Sequence, residues 1–318
     1  MSIWDRHPGA AKKALELKAT QSWKETAERL SAHYGELFTI NQVRDKIKRR
    51  IHKKPNAEIR RGIISDVHIP QEIPLFIETI EPHLKGKVDE LIVAGDWFDQ
   101  YCLSKFPKHK ALLIRQELET GYQYLKTMAS WCPVTLITGN HDERLQNILA
   151  DKLDPEIQFL FDRSLLRRYE TGFEIPNDIT GEVKRYPPIR NITVIPEWWT
   201  QVGDLIVAHP KNFSSVDLRT AINTHNWFLS RGHNYSVLLI GHTHKAGVIF
   251  KDCRWTIGEL GCLCRDMDYA EKTGRLNTRP QQRTITILTQ TNGVTTGMEQ
   301  ILLRGMDAQV VKYSIIGV

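Results

Sequence analysis

Five short clusters of Asp, Asn and His, each closing a hydrophobic run, carry the side chains of this chain most suited to chemistry. They read Ile63-Ile64-Ser65-Asp66-Val67-His68, Leu91-Ile92-Val93-Ala94-Gly95-Asp96-Trp97-Phe98-Asp99 and Leu136-Ile137-Thr138-Gly139-Asn140-His141-Asp142, then Leu205-Ile206-Val207-Ala208-His209 and Leu238-Leu239-Ile240-Gly241-His242-Thr243-His244. Carboxylates, an amide and imidazoles gathered at one place make a metal site. Mixed oxygen and nitrogen donors suit borderline divalent ions such as manganese, iron, zinc or nickel more than calcium. Singly each cluster is a weak signal, since Asp-x-His is as often a turn as a ligand pair. All five in this order are specific.

Strand ends must position them. A β-branched run reads as a buried strand, and its terminal polar cluster sits where chain leaves sheet, at the edge where such sheets bind ligands. Residues 59–318 alternate strand-like and helical stretches, the pattern of an α/β protein. The 318 residues suffice for a full core with appendages, and 41 % hydrophobic with 25 % charged residues is ordinary for a globular protein. No apolar run approaches the ~20 residues that span a bilayer, so no membrane partner is expected. The amino terminus lacks a hydrophobic secretion segment, and five irregularly spaced cysteines fit a reducing compartment, so a cytoplasmic location is expected. Cys262-Leu263-Cys264 reads as a pair of buried thiols.

The net charge of +6 is unevenly divided: residues 1–61 hold fifteen Lys and Arg against seven Asp and Glu, a net of +8, and the remainder carries −2. Ser22-Trp23-Lys24-Glu25 and Thr39-Ile40-Asn41-Gln42 are capping boxes that start two helices, the first stopping near Gly35. Ala27, Leu30 and Tyr34 share one face of the first helix, and Ile40, Val43, Ile47 and Ile51 one face of the second. An earlier helix is expected from about Ala10 to Lys18. Three short helices with a basic last one resemble a helix-turn-helix DNA-binding domain. Asn41, Gln42 and Arg44 would then reach base edges while Lys48 and Arg49 neutralise phosphates. Protein docking is the other reading. The expected division is residues 1–54 as this domain, 55–60 as a linker, and 61–318 as the main domain with an insertion at about 143–190.

The five clusters resemble the calcineurin-like metallophosphoesterase superfamily, whose blocks run D-x-H, G-D-x-x-D, G-N-H-D/E, a lone His and G-H-x-H. The resemblance implies two stacked mixed β-sheets flanked by helices, preceded here by the small all-α domain. It implies two divalent ions, manganese foremost. Asp66, His68, Asp96 and His244 would hold the first, and Asn140, His209 and His242, with Asp96 as the bridge, the second. His141 would be the catalytic histidine with Asp142 orienting its ring, and Asp99 a supporting carboxylate. A bridging hydroxide would attack phosphorus in line. Gln100 departs from a position where many members have Arg or a small residue.

Around these blocks the expectations are plainer. A helix from Glu143 to about Asp162, then a loop-like stretch with Pro176, Gly181, Pro187 and Pro188, should stand over the site. Arg144 is either a phosphate contact or a surface ion pair. Val248–Phe250, Trp255–Ile257, Thr284–Thr289 and Val294–Thr296 read as strands of the second sheet, with Asn292-Gly293 as a hairpin turn. Trp198 and Trp199 read as packing, and His83, His109, His225 and His233 as surface or core residues. Because the superfamily includes DNA-repair exonucleases, the expected activity is a phosphodiesterase cleaving DNA. A phosphomonoesterase is the alternative, and a homodimer is compatible with both.

Overall fold

The computed structural model describes residues 10, 13–14, 22–40, 42–43, 58–104, 113–154, 164–177, 180–266, 281–304 and 307–314. The chain divides into two compact units, 1–57 and 58–318, a boundary inside the expected linker. Among the described residues no helix is long and apolar enough to cross a membrane.

In the first unit, α1 (Trp23–Tyr34) starts as its capping box requires: Glu25 N donates to Ser22 Oγ at 3.3 Å and Ser22 N to Glu25 Oε2 at 2.8 Å. It ends at Gly35, whose φ of 69° lets the chain turn left-handed. Ala10, Ala14, Ala27, Leu30, Phe38 and Val43 are buried together. Ile40, expected on that apolar face, is instead 42 % exposed, and Phe38 fills the place. Thr39 and Gln42 form the second capping box, Thr39 N donating to Gln42 Oε1 at 2.9 Å. Ile47 and Ile51 lie outside the described residues.

The second unit is built of layers. β1 (Glu58–Ile64), β2 (Glu90–Ala94), β3 (Val134–Ile137) and β6 (Ile192–Ile195) run parallel. β12 (Thr284–Thr291), β13 (Val294–Arg304) and β14 (Asp307–Ser314) extend that sheet antiparallel in the order β14-β13-β12-β1-β2-β3-β6. The second sheet runs β10-β11-β9-β8-β7, from β7 (Trp199–Val202), β8 (Leu205–Ala208), β9 (Val237–Ile240), β10 (Ala246–Lys251) and β11 (Trp255–Leu260). Thr284–Thr289 and Val294–Thr296 therefore belong to the first sheet, not the second. Their hairpin does turn at Asn292-Gly293, with φ of 55° and 83°.

The two-residue period of the strands sorts side chains to opposite faces. Ile63, Ile92, Ala94 and Ile137 meet Leu205, Val207, Val237 and Leu239 between the sheets. Ile64, Val93 and Leu136 face outward onto α2 (Phe76–Leu84) and α3 (Ile114–Trp131). Ile206, Ala208, Leu238 and Ile240 face α6 (Arg219–Ser230) with Phe228. The order helix, sheet, sheet, helix is the architecture expected from the sequence.

The described part of the insertion opens with part of the expected helix, but the stretch read as loop-like holds two strands. After α4 (Arg144–Lys152) and α5 (Arg167–Thr171), β4 (Phe173–Pro176) and β5 (Val183–Tyr186) pair as a two-stranded sheet. Phe173 and Tyr186 stack at 4.6 Å and close on Tyr122 of α3. Burying these rings on the α3 face stabilises the segment by extending the core, which a proline-rich sequence conceals. Residues 155–163 lie outside the description.

Candidate metal centre

Parallel pairing aligns the strand ends that bear the five clusters. Ile64 pairs Val93 and Val93 pairs Leu136 in one sheet, as Ala208 pairs Ile240 in the other. Two hydrogen bonds join the sheets there. His209 Nδ1 lies 2.7 Å from the Ala94 carbonyl, and His242 N donates to Asp66 Oδ2 at 2.9 Å. Gly139 is required because a Cβ would overlap the Asp96 carboxylate and main chain. At Gly95, with φ of 80°, a Cβ would strike the His209 ring. Asp66, His68, Asp96, His242 and His244 all have φ between 50° and 79°. Non-glycine residues pay for that left-handed backbone, a cost of order 1–3 kcal/mol each that surrounding structure must offset. The tight turns aim alternate side chains back across the strand ends.

The expected ligands converge as two clusters sharing one atom. Asp66 Oδ1 lies 3.2 Å from His244 Nε2 and 3.7 Å from His68 Nε2, and the two imidazole nitrogens are 3.1 Å apart. Asp96 Oδ2 stands 3.6 Å from His68 Nε2 on one side and 3.2 Å from His209 Nε2 on the other. Asn140 Oδ1 lies 3.2 Å from His209 Nε2. His242 joins Asp96 and His209 in a group of potential ligand atoms, and its buried Nε2 has no hydrogen-bond partner. Lone pairs crowding on a common point, with an orphaned imidazole nitrogen beside them, fit bound divalent cations.

The electrostatics agree. Burial alone would raise Asp66 and Asp96, yet the neighbouring imidazoles outweigh it and hold both carboxyls well below the usual range. Reciprocally, burial opposes charge on His209, but Asp96 and Asp66 lift it to about 9. His68 and His244 are likewise raised against burial by Asp66 and its neighbours. His242 goes the other way, down to about 4, through burial and the charge on His209. Two buried carboxylates thus draw protons onto three imidazoles, and a metal would replace those protons.

His141 sits against this centre, its ring 4.4 Å from that of His68. Its Nδ1 lies 2.9 Å from Asp99 Oδ1, and the His141 main-chain N–H donates to Asp96 Oδ1 at 2.8 Å. The orienting carboxylate is therefore Asp99, which corrects the expectation of Asp142. Asp142 is 2 % exposed and accepts from the main-chain N–H groups of Phe98 and Gly139, both at 2.9 Å. It fastens the Gly139–Asp142 turn to the Asp96 turn and does not face the ring. Gln100 does similar work, donating to the Asp142 carbonyl and accepting from Leu145 N, each at 2.8 Å. Glu117 of α3 accepts from Gln100 N at 2.8 Å. Burial pushes its carboxyl up to about 8. No sequence motif marks Glu117, because the link is made across α3.

Other readings fall into place around the centre. Gln281, which the sequence did not single out, places its amide 2.7 Å from His244 Nδ1. Cys262 and Cys264 are free, buried thiols, with Cys264 Sγ 3.8 Å from that same Nδ1. Their loop underlies the site: Leu263 N donates to the Asp66 carbonyl at 3.1 Å. Trp198 and Trp199 pack on Phe228, and His225 is buried against Tyr235 and Trp255, as core residues. Of the proposed base-reading set, only Gln42 is described, and its amide oxygen is engaged by Thr39. Asn41, Arg44, Lys48 and Arg49 lie outside the described residues, as does His109.

Solved structures similar to the chain include Vps29 of Chaetomium thermophilum, 12 % identical, covering 81 % of this chain and 100 % of that one with a TM-score of 0.42. A dimetal phosphatase of Danio rerio is 11 % identical, covering 81 % and 99 % with a TM-score of 0.40. A metallophosphoesterase of Sphaerobacter thermophilus is 14 % identical, covering 82 % and 90 % with a TM-score of 0.32. No curated protein matches the chain. The family model for calcineurin-like phosphoesterases matches residues 59–268, which hold all five clusters, and the chain belongs to that family.

Proposed function

We propose that the chain is a phosphodiesterase that cleaves DNA, using two divalent ions held by the residues at its strand ends and a basic amino-terminal unit that retains the substrate. The observation that carries the hydrolytic part is Asp96 Oδ2, placed within 3.6 Å of His68 Nε2 and 3.2 Å of His209 Nε2, where one oxygen can serve two ions. Asp66, His68, Asp96 and His244 would hold one, and Asp96, Asn140, His209 and His242 the other. Bound there, such ions supply Lewis acidity and a nucleophile at neutral pH. The protein's own groups do the rest. Asp99 holds the His141 ring by Nδ1, so Nε2, now 2.9 Å from Arg144 Nη2, is the ring atom that would serve the leaving oxygen. A sugar oxygen leaves poorly without a proton, and a positioned imidazole typically contributes ~10²–10⁴-fold.

Support for DNA comes from the charge division, +8 within residues 1–61 and −2 beyond. Paired capping boxes in that unit agree with the short helices of a helix-turn-helix, in which Lys48 and Arg49 contact phosphates. Such a unit in the same chain raises the local concentration of substrate for the hydrolytic domain. Manganese-dependent cleavage of end-labelled single- and double-stranded DNA tests the reading, with Asn140→Ala/His209→Ala as control. Cleavage lost in the control supports it. Turnover of p-nitrophenyl phosphate with intact DNA would replace it by the phosphomonoesterase reading.

A further inference from the structure

His141 is held at both ring nitrogens, and its second partner is a cation. Nδ1 lies 2.9 Å from Asp99 Oδ1 and 3.2 Å from the Asp99 carbonyl. Both are acceptors, so Nδ1 carries the ring proton and Nε2 presents a lone pair. Arg144 Nη2 donates to that lone pair at 2.9 Å. The same guanidinium donates through Nη1 to the Asp99 carbonyl at 2.6 Å and stands 3.5 Å from Asp99 Oδ1. It is the first residue of α4, with its side chain 20 % exposed.

Three features make this more than a surface ion pair. The hydrogen-bond partners of the guanidinium are a main-chain oxygen and an imidazole ring, and its ion pair with Asp99 is long, at 3.5 Å. Asp99, the nearby carboxylate, is already shared between His141 and, at 3.6 Å, His68. The guanidinium also occupies the ring atom that the hydrolysis needs, since Nε2 must take up a proton from solvent and hand it to the leaving oxygen. A phosphoryl oxygen accepts from a guanidinium more strongly than a neutral imidazole does, and the planar fork of Arg matches phosphate geometry.

We propose that Arg144 is the phosphate-binding residue of this centre. A non-bridging phosphoryl oxygen takes over the Nη2 donor, so arrival of the ester anchors phosphorus and uncovers His141 Nε2 in one movement. The Nη1 bond to the Asp99 carbonyl acts as the pivot. The inference rests on the phosphoric-ester reading of the site and deepens it. Gln100 does not compete for the role, because its amide is spent on the Asp142 carbonyl and Leu145 N.

The test uses the full chain loaded with manganese, as wild type, Arg144→Met and Arg144→Lys. Hydrolysis of bis-p-nitrophenyl phosphate gives KM and kcat, calorimetry gives the Kd of inorganic phosphate, and metal analysis gives ions per chain. Loss of a charge-assisted contact predicts KM and phosphate Kd about 10- to 100-fold higher in Arg144→Met. Metal content should be unchanged, and Arg144→Lys should recover only part of the phosphate affinity. A lower kcat with unchanged KM and phosphate Kd would reduce Arg144 to a brace for His141 and overturn the proposal. Metal lost from both variants would overturn it as well. A wild type that binds phosphate but hydrolyses no ester would remove the functional reading alone. Phosphate affinity equal in wild type and Arg144→Met would then still decide against Arg144.

Discussion

Metal affinity should climb steeply with pH, because the metal-free centre stores positive charge as protons on its own ligands. His209 is lifted to about 9 by Asp96 and Asp66 against burial, so it is protonated throughout pH 6–8. To bind a cation through Nε2 it must release that proton, which costs a factor of about ten in apparent affinity for each pH unit below its pKa. His68 and His244 are raised in the same direction and add further protons. His242, depressed to about 4 by burial and by His209, adds none above pH 5. Asp66 and Asp96 are ionised across the window, since their carboxyls are held well below the usual range. The slope of log affinity against pH between 6 and 8 should therefore lie between about one and three. Manganese calorimetry on chelated protein, repeated in buffers of different ionisation enthalpy, counts the released protons. Changing His209 to Ala should lower the count by one. A flat affinity with no proton release would refute the charge distribution described for the centre.

Three other outcomes follow from particular contacts. Asp99→Asn should lower kcat about 10- to 100-fold with two ions per chain retained, read by steady-state kinetics and metal analysis, because it removes the charge that orients His141. Gly139→Ala should weaken ion binding on both sides of Asp96, seen as fewer than two ions per chain by metal analysis, because its Cβ would displace that shared carboxylate. Glu117 keeps its proton in the fold to about pH 8, whereas the unfolded chain loses it near 4.5, so folding stability falls as pH rises through that window. Glu117→Gln has no proton to lose. Thermal melts of the two proteins should coincide near pH 5 and separate by pH 8, with the variant higher.

The convergence of these polar clusters was legible because its information is local: a β-branched run fixes the strand, and the polar cluster after it fixes the edge. The helix caps at Ser22 and Thr39 were legible for the same reason. The partner of His141 was not. Asp142 is adjacent in sequence, but the left-handed turn at Gln100, with φ of 47°, carries Asp99 beneath the ring, while Asp142 is drawn into main-chain hydrogen bonds. Strand content was visible in Thr284–Thr289 and Val294–Thr296, though β13 runs on to Arg304, and their sheet was not visible. That choice is made by pairing with β1, more than two hundred residues earlier. Likewise, Tyr122, Tyr169, Phe173 and Tyr186 bury one another across distant segments, so proline and glycine dominated the sequence reading of the insertion. Gln281 shows the same limit, reaching His244 from 37 positions away with no motif around it.

The central claim is that Asp96 joins two ions at one centre, and electron paramagnetic resonance of the manganese-loaded chain tests it most directly. Two ions per chain with an exchange-coupled signal, collapsing to isolated manganese in Asp96→Asn, is the result the account predicts. A single uncoupled ion per chain at saturating manganese, unchanged by that substitution, would contradict it.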